Sequence, residues 1–471
     1  MNRSIPLVLA VALFMEQMDS TVIATALPAI AADLGTSPIS LKLALTAYLV
    51  SLAIFIPISG WMADRFGARR IFTLAIGVFL IGSVACAASG SLLEFVLSRF
   101  LQGMGGAMMT PVGRLVLLRS TEKSQLVTAM AWLTIPALIS PMVGPPVGGF
   151  LTTFLSWHWI FLINIPIGLA GMVFAVKVLP EDEARSRDRV DWIGFLLSGG
   201  AASGIVFGLS VISLPVLPPV WGIAATLAGL LSLGAYLRHA RLHPRPLLDP
   251  KLFENRTFAL SLFGASLFRI GAGAVPFLLP LMLQLGFGMS PFQSGMITFI
   301  SAAGAITMKF VIKRVLRFVG FRYTLLAAAA ASALSIAING FFTPATPVVL
   351  ILVILYCAGL VRSMFFTSVN ALTFSEISPE TAAQATSLTA AFQQVAIAVG
   401  VALAGVIIEV VSTMNGGELS LVAFQTAFFV VATLSALAIL PFLALPPEAG
   451  GTVSGHTLGR AGPRAASPVR T

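Results

Sequence analysis

The chain has 471 residues, of which 57% are hydrophobic and only 10% are charged, and its mean hydropathy is +0.97. This composition excludes an ordinary soluble protein, and the alternating pattern of an outer-membrane β-barrel is absent. The formal net charge of +10 would suit nucleic-acid binding in a soluble protein. Here the basic residues fall in loops between apolar stretches, so we expect an integral α-helical membrane protein without a nucleic-acid partner.

Apolar stretches of about 20 residues, the length that crosses a hydrocarbon core of about 30 Å, recur along the chain. They predict fourteen membrane-spanning helices, near residues 5–29, 39–62, 71–90, 94–118, 125–153, 157–179, 191–213, 217–238, 257–285, 292–316, 322–343, 347–374, 382–411 and 420–446. The first stretch also looks like a signal peptide. It carries two carboxylates and has no clear small-residue cleavage site, so we expect a retained helix.

The longest polar loops, 180–190 and 239–256, flank a helix pair and divide the spans into groups of six, two and six. We expect an N-terminal six-helix bundle at 1–180, cytoplasmic loops with the inserted pair at 181–256, a C-terminal six-helix bundle at 257–446, and a disordered cytoplasmic tail at 447–471. Basic residues concentrate in alternate loops, and the other loops hold almost none beyond Lys42. The positive-inside rule then places both termini in the cytoplasm, with the protein in the inner (plasma) membrane.

Two carboxylates, Glu16 and Asp19, lie in the middle of the first span, three residues apart and therefore on one face of the helix. A charge near the bilayer centre costs roughly 3 kcal/mol even on lenient insertion scales, so such residues mark transport or proton pathways. A carboxylate buried beside apolar groups, with a second carboxylate nearby, can load a proton near neutral pH. The pair therefore indicates a proton-coupling site.

The loop after the second span, GWMADRFGARR at 60–70, resembles the loop signature of the major facilitator superfamily. The resemblance implies a cytoplasmic gate formed by Gly60, Asp64, Arg65, Gly67, Arg69 and Arg70. We expect Gly60 to permit close helix packing and Gly67 a tight turn, with Asp64 capping a helix or pairing with the basic cluster. An ordinary positive-inside loop is the alternative. A weak internal repeat, RFVGFR at 317–322, suggests two related halves.

Four further motifs resemble the same superfamily. RFLQGMGGA at 99–107 resembles its fourth-helix motif, and GPPVGG at 144–149 resembles its fifth-helix antiporter motif, with Gly144, Pro145, Gly148 and Gly149. MDSTVIATALP at 18–28 and WHWIFLINIPIG at 157–168 are similar to motifs of the fourteen-span drug:proton antiporters, which usually have Asn where this chain has Ala24. The glycines of GPPVGG allow close packing of helices, and its prolines bend the helix.

The resemblance implies a major facilitator fold, two six-helix bundles plus an inserted helix pair, in a proton-coupled antiporter. Such a protein exports drugs or small metabolites by alternating access, with the proton gradient as its energy source. Asp19 is the first choice for the exchanged proton because it lies in the matched first-helix motif, and Glu16 is a second proton site or a modulator. No enzyme motif and no cofactor site is recognised in the sequence.

Basic residues also fall within the spans. They are Arg99 and Arg114 in the fourth span, Arg269 in the ninth, Arg362 in the twelfth and Lys309 toward the cytoplasmic end of the tenth. In the facilitator fold most of these helices line the central cavity, so we assign the five residues to a substrate cavity. The carboxylates can pair with Arg269 or Arg362 across the halves, or the cations can bind an anionic substrate. Permanent ion pairs that hold helices together are the third alternative.

We expect a monomer whose partners are a small-molecule substrate, protons and membrane lipid. No metal site is predicted, because the four histidines fall in loops, in the tail and at a span boundary. An exporter of organic anions or carboxylate metabolites is the alternative within transport. A non-transporting membrane sensor with the same fold is the alternative from another class, and the intact carboxylates and gate loop disfavour it.

Overall fold

The computed structural model describes residues 4–121, 125–180, 190–212, 218–244, 246–378, 381–416 and 419–451. The N-terminal half consists of α1 (Ser4–Val22), α2 (Leu27–Asp33), α3 (Lys42–Phe66), α4 (Ala68–Ala87), α5 (Leu92–Ser120), α6 (Leu126–Phe154), α7 (Trp159–Leu162) and α8 (Asn164–Val178). The inserted pair consists of α9 (Trp192–Ile212) and α10 (Pro219–Leu242). The C-terminal half consists of α11 (Arg256–Leu281), α12 (Pro291–Asn339), α13 (Val348–Thr373), α14 (Ala382–Met414), α15 (Leu421–Ala436) and α16 (Ile439–Leu443).

The all-α prediction is confirmed. Eleven helical segments of the described residues are long and apolar enough to cross a membrane. One of these segments, α12, bends at Gly320 and so covers two predicted spans, while α5 and α6, with 29 residues each, cover two more. The order of helices thus agrees with the fourteen predicted spans. Most of the predicted tail, from residue 452 onward, lies outside the described residues.

Helical structure follows from the sequence because lipid offers the backbone no hydrogen-bond partner, so each span must satisfy its own polar groups. Helix starts carry the expected caps. The Asn255 side chain accepts a hydrogen bond from the backbone N–H of Phe258 at the start of α11. Ser290 and Gln293 form a reciprocal capping box at the start of α12. These polar residues fix where the long apolar helices begin.

Two glycine turns relate the halves. Gly67 joins α3 to α4 with φ 92°, and Gly320 bends α12 with φ 76°. Only glycine adopts this left-handed region without a steric penalty, so each turn requires its glycine. The two turns lie in the segments that the sequence analysis aligned as a repeat, which supports two halves of related construction.

The inserted pair packs tightly and contacts both halves through α9, which lies against α3 and α14. A Cβ atom on Gly204 would lie 2.6 Å from the Cα of Gly229, so two glycines bring α9 and α10 together. Asp191 caps α9 by accepting a hydrogen bond from the backbone of Gly194 at 2.8 Å. Burial alone would raise the pKa of Asp191, but its hydrogen bonds from Gly194 and His239 hold it below the ordinary value.

The halves meet at the ends of the helices that lie away from the two glycine turns. Near this end, Gln284 donates from Nε2 to the backbone oxygen of Thr25 at 3.0 Å. The backbone N–H of Phe292 donates to Oγ1 of Thr153 at 3.1 Å. The structure is therefore closed on the face opposite the 60–70 loop.

Lys42 corrects the sequence interpretation, which placed it in a loop. It is the first residue of α3 and is fully buried. Its side chain packs against Gly405 of α14 and interacts electrostatically with Glu409 one turn further on. A buried cation at this place is tolerated because a carboxylate of the other half lies nearby.

Candidate functional site

Asp19 lies at the centre of a buried polar cluster in the N-terminal half. Its Oδ2 accepts a hydrogen bond from Nη1 of Arg99 at 2.7 Å, and the two side chains are each 1% exposed. Its Oδ1 accepts from Nε2 of Gln102 at 2.8 Å and from Nδ2 of Asn164 at 2.7 Å. The carboxylate is thus held by one cation and two amides from α5 and α8.

The surrounding helices hold the donors of this cluster in place. The Oγ of Ser83 on α4 accepts from Gln102 at 2.8 Å and from Asn164 at 3.4 Å. The guanidinium of Arg99 lies over the ring of Tyr48 on α3, 4.2 Å from its centroid. The cluster therefore joins five helices of the N-terminal half in one network.

Glycines of the 99–107 motif make room for the network. A Cβ atom on Gly103 would lie 2.7 Å from the backbone oxygen of Tyr48, and one on Gly105 would collide with the backbone of Phe79. Close packing of α5 against α3 and α4 therefore requires both glycines.

Glu16 lies one turn before Asp19 and has a different environment. Its Oε2 accepts a hydrogen bond from Oγ1 of Thr110 at 2.9 Å, and its side chain is 5% exposed. The amide of the neighbouring Gln17 also donates to it, at 3.3 Å. Arg114, one turn beyond Thr110, is exposed and acts on Glu16 only electrostatically. Neutral donors thus hold Glu16, whereas a cation holds Asp19.

The C-terminal half places Arg269 on α11 among neutral groups. Its side chain is 3% exposed, and its Nη2 donates to Oδ1 of Asn370 at a long 3.5 Å. The guanidinium also lies 5.0 Å from the ring centroid of Phe366. Both partners are on α13, so Arg269 joins α11 to α13 through weak polar contacts.

Arg362 on α13 donates from Nη2 to Oγ of Ser301 at 3.2 Å. One turn earlier Gly359 contacts the backbone of Ser301 so closely that a Cβ atom would not fit. Beside Arg362 is a cavity of about 30 Å³. Its polar lining consists of Arg362, Ser301, Ser332, Ser335 and Asn339. All of its lining residues belong to α11, α12 and α13, so this cavity lies inside the C-terminal half. The cavity expected from the sequence was instead a central one between the halves.

Lys309, the third cation assigned to this half, is exposed and donates to Oγ1 of Thr367 at 2.9 Å. Among the residues that the structure describes, no carboxylate forms an ion pair with Arg269, Arg362 or Lys309. The cross-half pairs considered from the sequence are not the arrangement seen, because Asp19 pairs with Arg99 of its own half. Arg99 is thus compensated by a buried carboxylate, whereas the three C-terminal cations contact no carboxylate among the described residues.

In the gate loop, Asp64 pairs with Arg119 at the end of α5, a partner that sequence reasoning missed. Arg65 and Arg70 are exposed and Arg69 is half-buried. The predicted turn at Gly67 is confirmed by its positive φ. Gly60 was expected at a close helix contact, which is wrong here, because it lies on an exposed face with open space around it.

The antiporter motif lies where α6 contacts two other helices. Gly144 packs against Thr21, and Gly148 packs against the backbone of Val22, so both bring α6 onto α1. Gly149 contacts the backbone of Pro291, the first residue of α12 in the other half. Likewise, the backbone oxygen of Pro145 touches Gly295 of α12. The motif thus connects the helix of the two carboxylates to the contact between the halves.

Sequence reasoning missed Gln102 and Asn164, which donate to Asp19, and Ser83, which accepts from both of these amides. Gln102 and Asn164 both lie inside motifs that the sequence analysis quoted, but they were treated there only as part of a pattern. A polar side chain in an apolar span was the available signal, and the carboxylates were singled out on the same ground. The pairing itself depends on contacts between residues as far as 145 positions apart.

A two-part bundle of membrane-spanning helices around buried charges defines a membrane transporter. The sequence model described as Major Facilitator Superfamily matches residues 9–400 and 261–470. The chain belongs to this superfamily and is a multi-pass membrane protein.

Several relatives carry names that refer to multidrug resistance. The chain is 36% identical over 450 residues to MdtD of Citrobacter koseri, covering 94% of each sequence. It is 37% identical over 410 residues to MdtD of Escherichia coli O139:H28, covering 85% of each.

Solved structures share the fold at low sequence identity. The POT family transporter PepTSo has a TM-score of 0.68 at 16% identity, with 94% of this chain and 97% of that chain covered. A D-xylose-proton symporter has a TM-score of 0.67 at 16% identity, with 95% and 98% covered. At this identity the likeness shows the fold alone.

Proposed function

We propose that this chain is a proton-coupled antiporter that exports drugs or small metabolites across the inner membrane. The observation that carries the proposal is the pair of buried carboxylates on α1, one held by Arg99 and one held by neutral groups. Structural ion pairs alone do not explain Glu16, which contacts no cation among the residues that the structure describes. The names of the MdtD relatives support a drug or drug-like cargo.

The two carboxylates have different parts in this proposal. Glu16 can gain a proton without leaving a buried cation alone, because its closest donors, Thr110 and Gln17, are neutral. Protonation of Asp19 instead removes the countercharge of Arg99, which then has to find another partner. We therefore assign to Glu16 the readily exchanged proton and to Asp19 the step that moves α5 against α1.

Alternating access would proceed by rocking of the halves about the contacts that α6 makes with α12 and α3 makes with α14. The present state is closed opposite the 60–70 loop. In the other state the exposed Arg65 and Arg70 would meet the C-terminal half, so the gate role of this loop belongs to the proposal. The positive-inside rule, applied to the basic loops, supports cytoplasmic termini.

Uphill transport in proteoliposomes tests the proposal. Purified protein is reconstituted, a pH gradient is imposed, and accumulation of a panel of lipophilic cations, neutral drugs and organic acids is measured. We expect gradient-driven flux of at least one compound by the wild type and none by Glu16→Gln or Asp19→Asn. Glu94→Gln, which alters an exposed carboxylate at the start of α5, is the matched control.

Absence of gradient-driven flux of every compound by the wild type would favour the non-transporting sensor. Equal uphill flux in wild type and both carboxylate variants would remove proton coupling through α1. A monomer is expected throughout, because the charges that we assign to the pathway all lie within one chain.

Export of organic anions is the second candidate. It is favoured by the C-terminal half, where Arg269 and Arg362 have only neutral partners. A buried guanidinium without a countercharge attracts a carboxylate strongly and can bind it with two parallel hydrogen bonds. The organic acids of the transport panel test this candidate directly, with lipophilic cations as the comparison.

A further inference from the structure

Three potential metal ligands meet at one end of the inserted helix pair. Asp191 precedes α9, His239 lies in the last turn of α10, and His243 follows its end. One donor atom of each residue lies within 4.8 Å of the others. Sequence reasoning missed this group because Asp191 is 48 residues from His239.

The chain after α10 folds back and orders this group. Tyr236 donates its hydroxyl hydrogen to the backbone oxygen of Leu248 at 2.7 Å and accepts from the Leu248 N–H at 2.8 Å. The backbone N–H of Leu247 lies 3.4 Å from Oδ2 of Asp191. These bonds hold the segment after α10 against the start of α9, which keeps His243 close to Asp191.

The carboxylate of Asp191 is oriented by the backbone. It is 7% exposed, accepts from the Gly194 N–H at 2.8 Å, and lies 2.7 Å from Nε2 of His239. The hydrogen bond from Gly194 fixes the direction of the carboxylate and leaves lone pairs for a metal ion, which would replace the hydrogen bond between Asp191 and Nε2 of His239. The histidine rings are 5.1 Å apart between centroids, at the i and i+4 spacing of one helix face.

We propose that Asp191, His239 and His243 bind a divalent transition-metal ion of the zinc type. Two imidazoles and one carboxylate are a donor set that suits Zn²⁺, whereas Mg²⁺ and Ca²⁺ prefer oxygen ligands alone. The ion links α9 to α10 and to the loop after α10, and water takes its remaining position. The site stiffens the cytoplasmic end of the inserted pair, a role independent of the proposed transport.

A hydrogen-bonded clamp without metal explains part of the same geometry. The pair of Asp191 and His239 already connects α9 to α10, and Asp191 caps α9. Such a clamp does not require His243. A zinc site does require it, because removal of His243 takes away one of the three protein ligands. The exposed Arg238 and Arg241 lower the affinity for a cation, so we expect micromolar rather than nanomolar binding.

Calorimetric titration of the full chain, in lipid nanodiscs and with any affinity tag removed, tests the proposal with ZnCl₂ as the probe. We expect one Zn²⁺ per chain, no heat from MgCl₂, and at least a tenfold weaker affinity in His243→Ala. Binding of Co²⁺ should give the visible absorption of a four-coordinate ion in the wild type and not in His243→Ala. His158→Ala is the matched control. Nε2 of His158 lies 3.9 Å from Oδ2 of Asp33, but among the described residues no further histidine completes a group of three ligands there.

His243→Ala preserves the bond between His239 and Asp191, so the variant separates metal binding from the clamp. Asp191→Asn and His239→Ala should also weaken Zn²⁺ binding at least tenfold. The proposal is overturned by a wild type that does not bind Zn²⁺ saturably. It is equally overturned if His243→Ala binds Zn²⁺ as tightly as the wild type does.

Discussion

The two halves share a construction but differ in how they treat buried charge. In the N-terminal half Asp19 and Arg99 neutralise each other, and amides complete the carboxylate's hydrogen bonds. In the C-terminal half Arg269 and Arg362 have an amide, a ring and a hydroxyl as partners. This difference fits the two proposed roles: the N-terminal half exchanges protons, and the cations of the C-terminal half bind an anionic substrate.

The largest expected effect is on stability and comes from breaking the compensated pair. Arg99→Ala leaves the Asp19 carboxylate buried without a countercharge, which should cost about 3–5 kcal/mol of the free energy of unfolding. Denaturant unfolding in nanodiscs measures it. The double variant Arg99→Gln, Asp19→Asn removes both charges and should recover most of the loss.

Removal of Arg269 should not lower the free energy of unfolding if the two halves differ as described. Arg269→Gln removes a buried cation that has no carboxylate in contact, so its stability without substrate should equal or exceed that of the wild type. A loss as large as that of Arg99→Ala would show that Arg269 has a countercharge in the membrane, and the contrast between the halves would fail.

A smaller effect is expected on cargo binding. If the C-terminal cations bind an anionic group, Arg362→Gln should weaken binding of an organic acid roughly 10- to 100-fold, since hydrogen bonds to charged groups contribute about 1.5–3 kcal/mol. Arg256→Gln, an exposed arginine at the start of α11, is the matched control. Tighter binding of a cationic dye by Arg362→Gln, with no acid bound by the wild type, would contradict the anionic cargo.

The smallest effect concerns the gate loop. Arg119 orders this loop through Asp64, so Asp64→Asn should weaken closure of the gate face. We expect a population shift of about 1–3 kcal/mol toward the state open at that face. Distances between spin labels across the face measure the shift, with Glu94→Gln as control. Unchanged distances together with unchanged transport would remove the gate role.

Hydropathy and short motifs in the sequence predicted much of the fold but less of the candidate site. Hydropathy gave the order of spans because each span must bury its own backbone bonds in lipid. Gly67 was predictable as a turn because only glycine relieves its backbone strain. Gly60 and Lys42 were assigned wrongly, because the exposure of one and the burial of the other depend on helices distant in sequence.

The residues of the candidate site were likewise predictable only in part. Glu16 and Asp19 were found because a charge in an apolar span is costly and therefore conspicuous. The partners of Asp19 were not, because Asn164 reaches it only after α8 has packed against α1. The group of Asp191, His239 and His243 likewise forms only when α9 and α10 pair.

Substrate-induced proton release tests the central claim most directly. Protein in weakly buffered detergent solution is mixed with a transported compound, and a pH indicator reports the protons released. We predict release by the wild type and by Glu94→Gln, and none by Glu16→Gln or Asp19→Asn when the compound still binds. Equal release from the wild type and from both α1 variants would contradict the account.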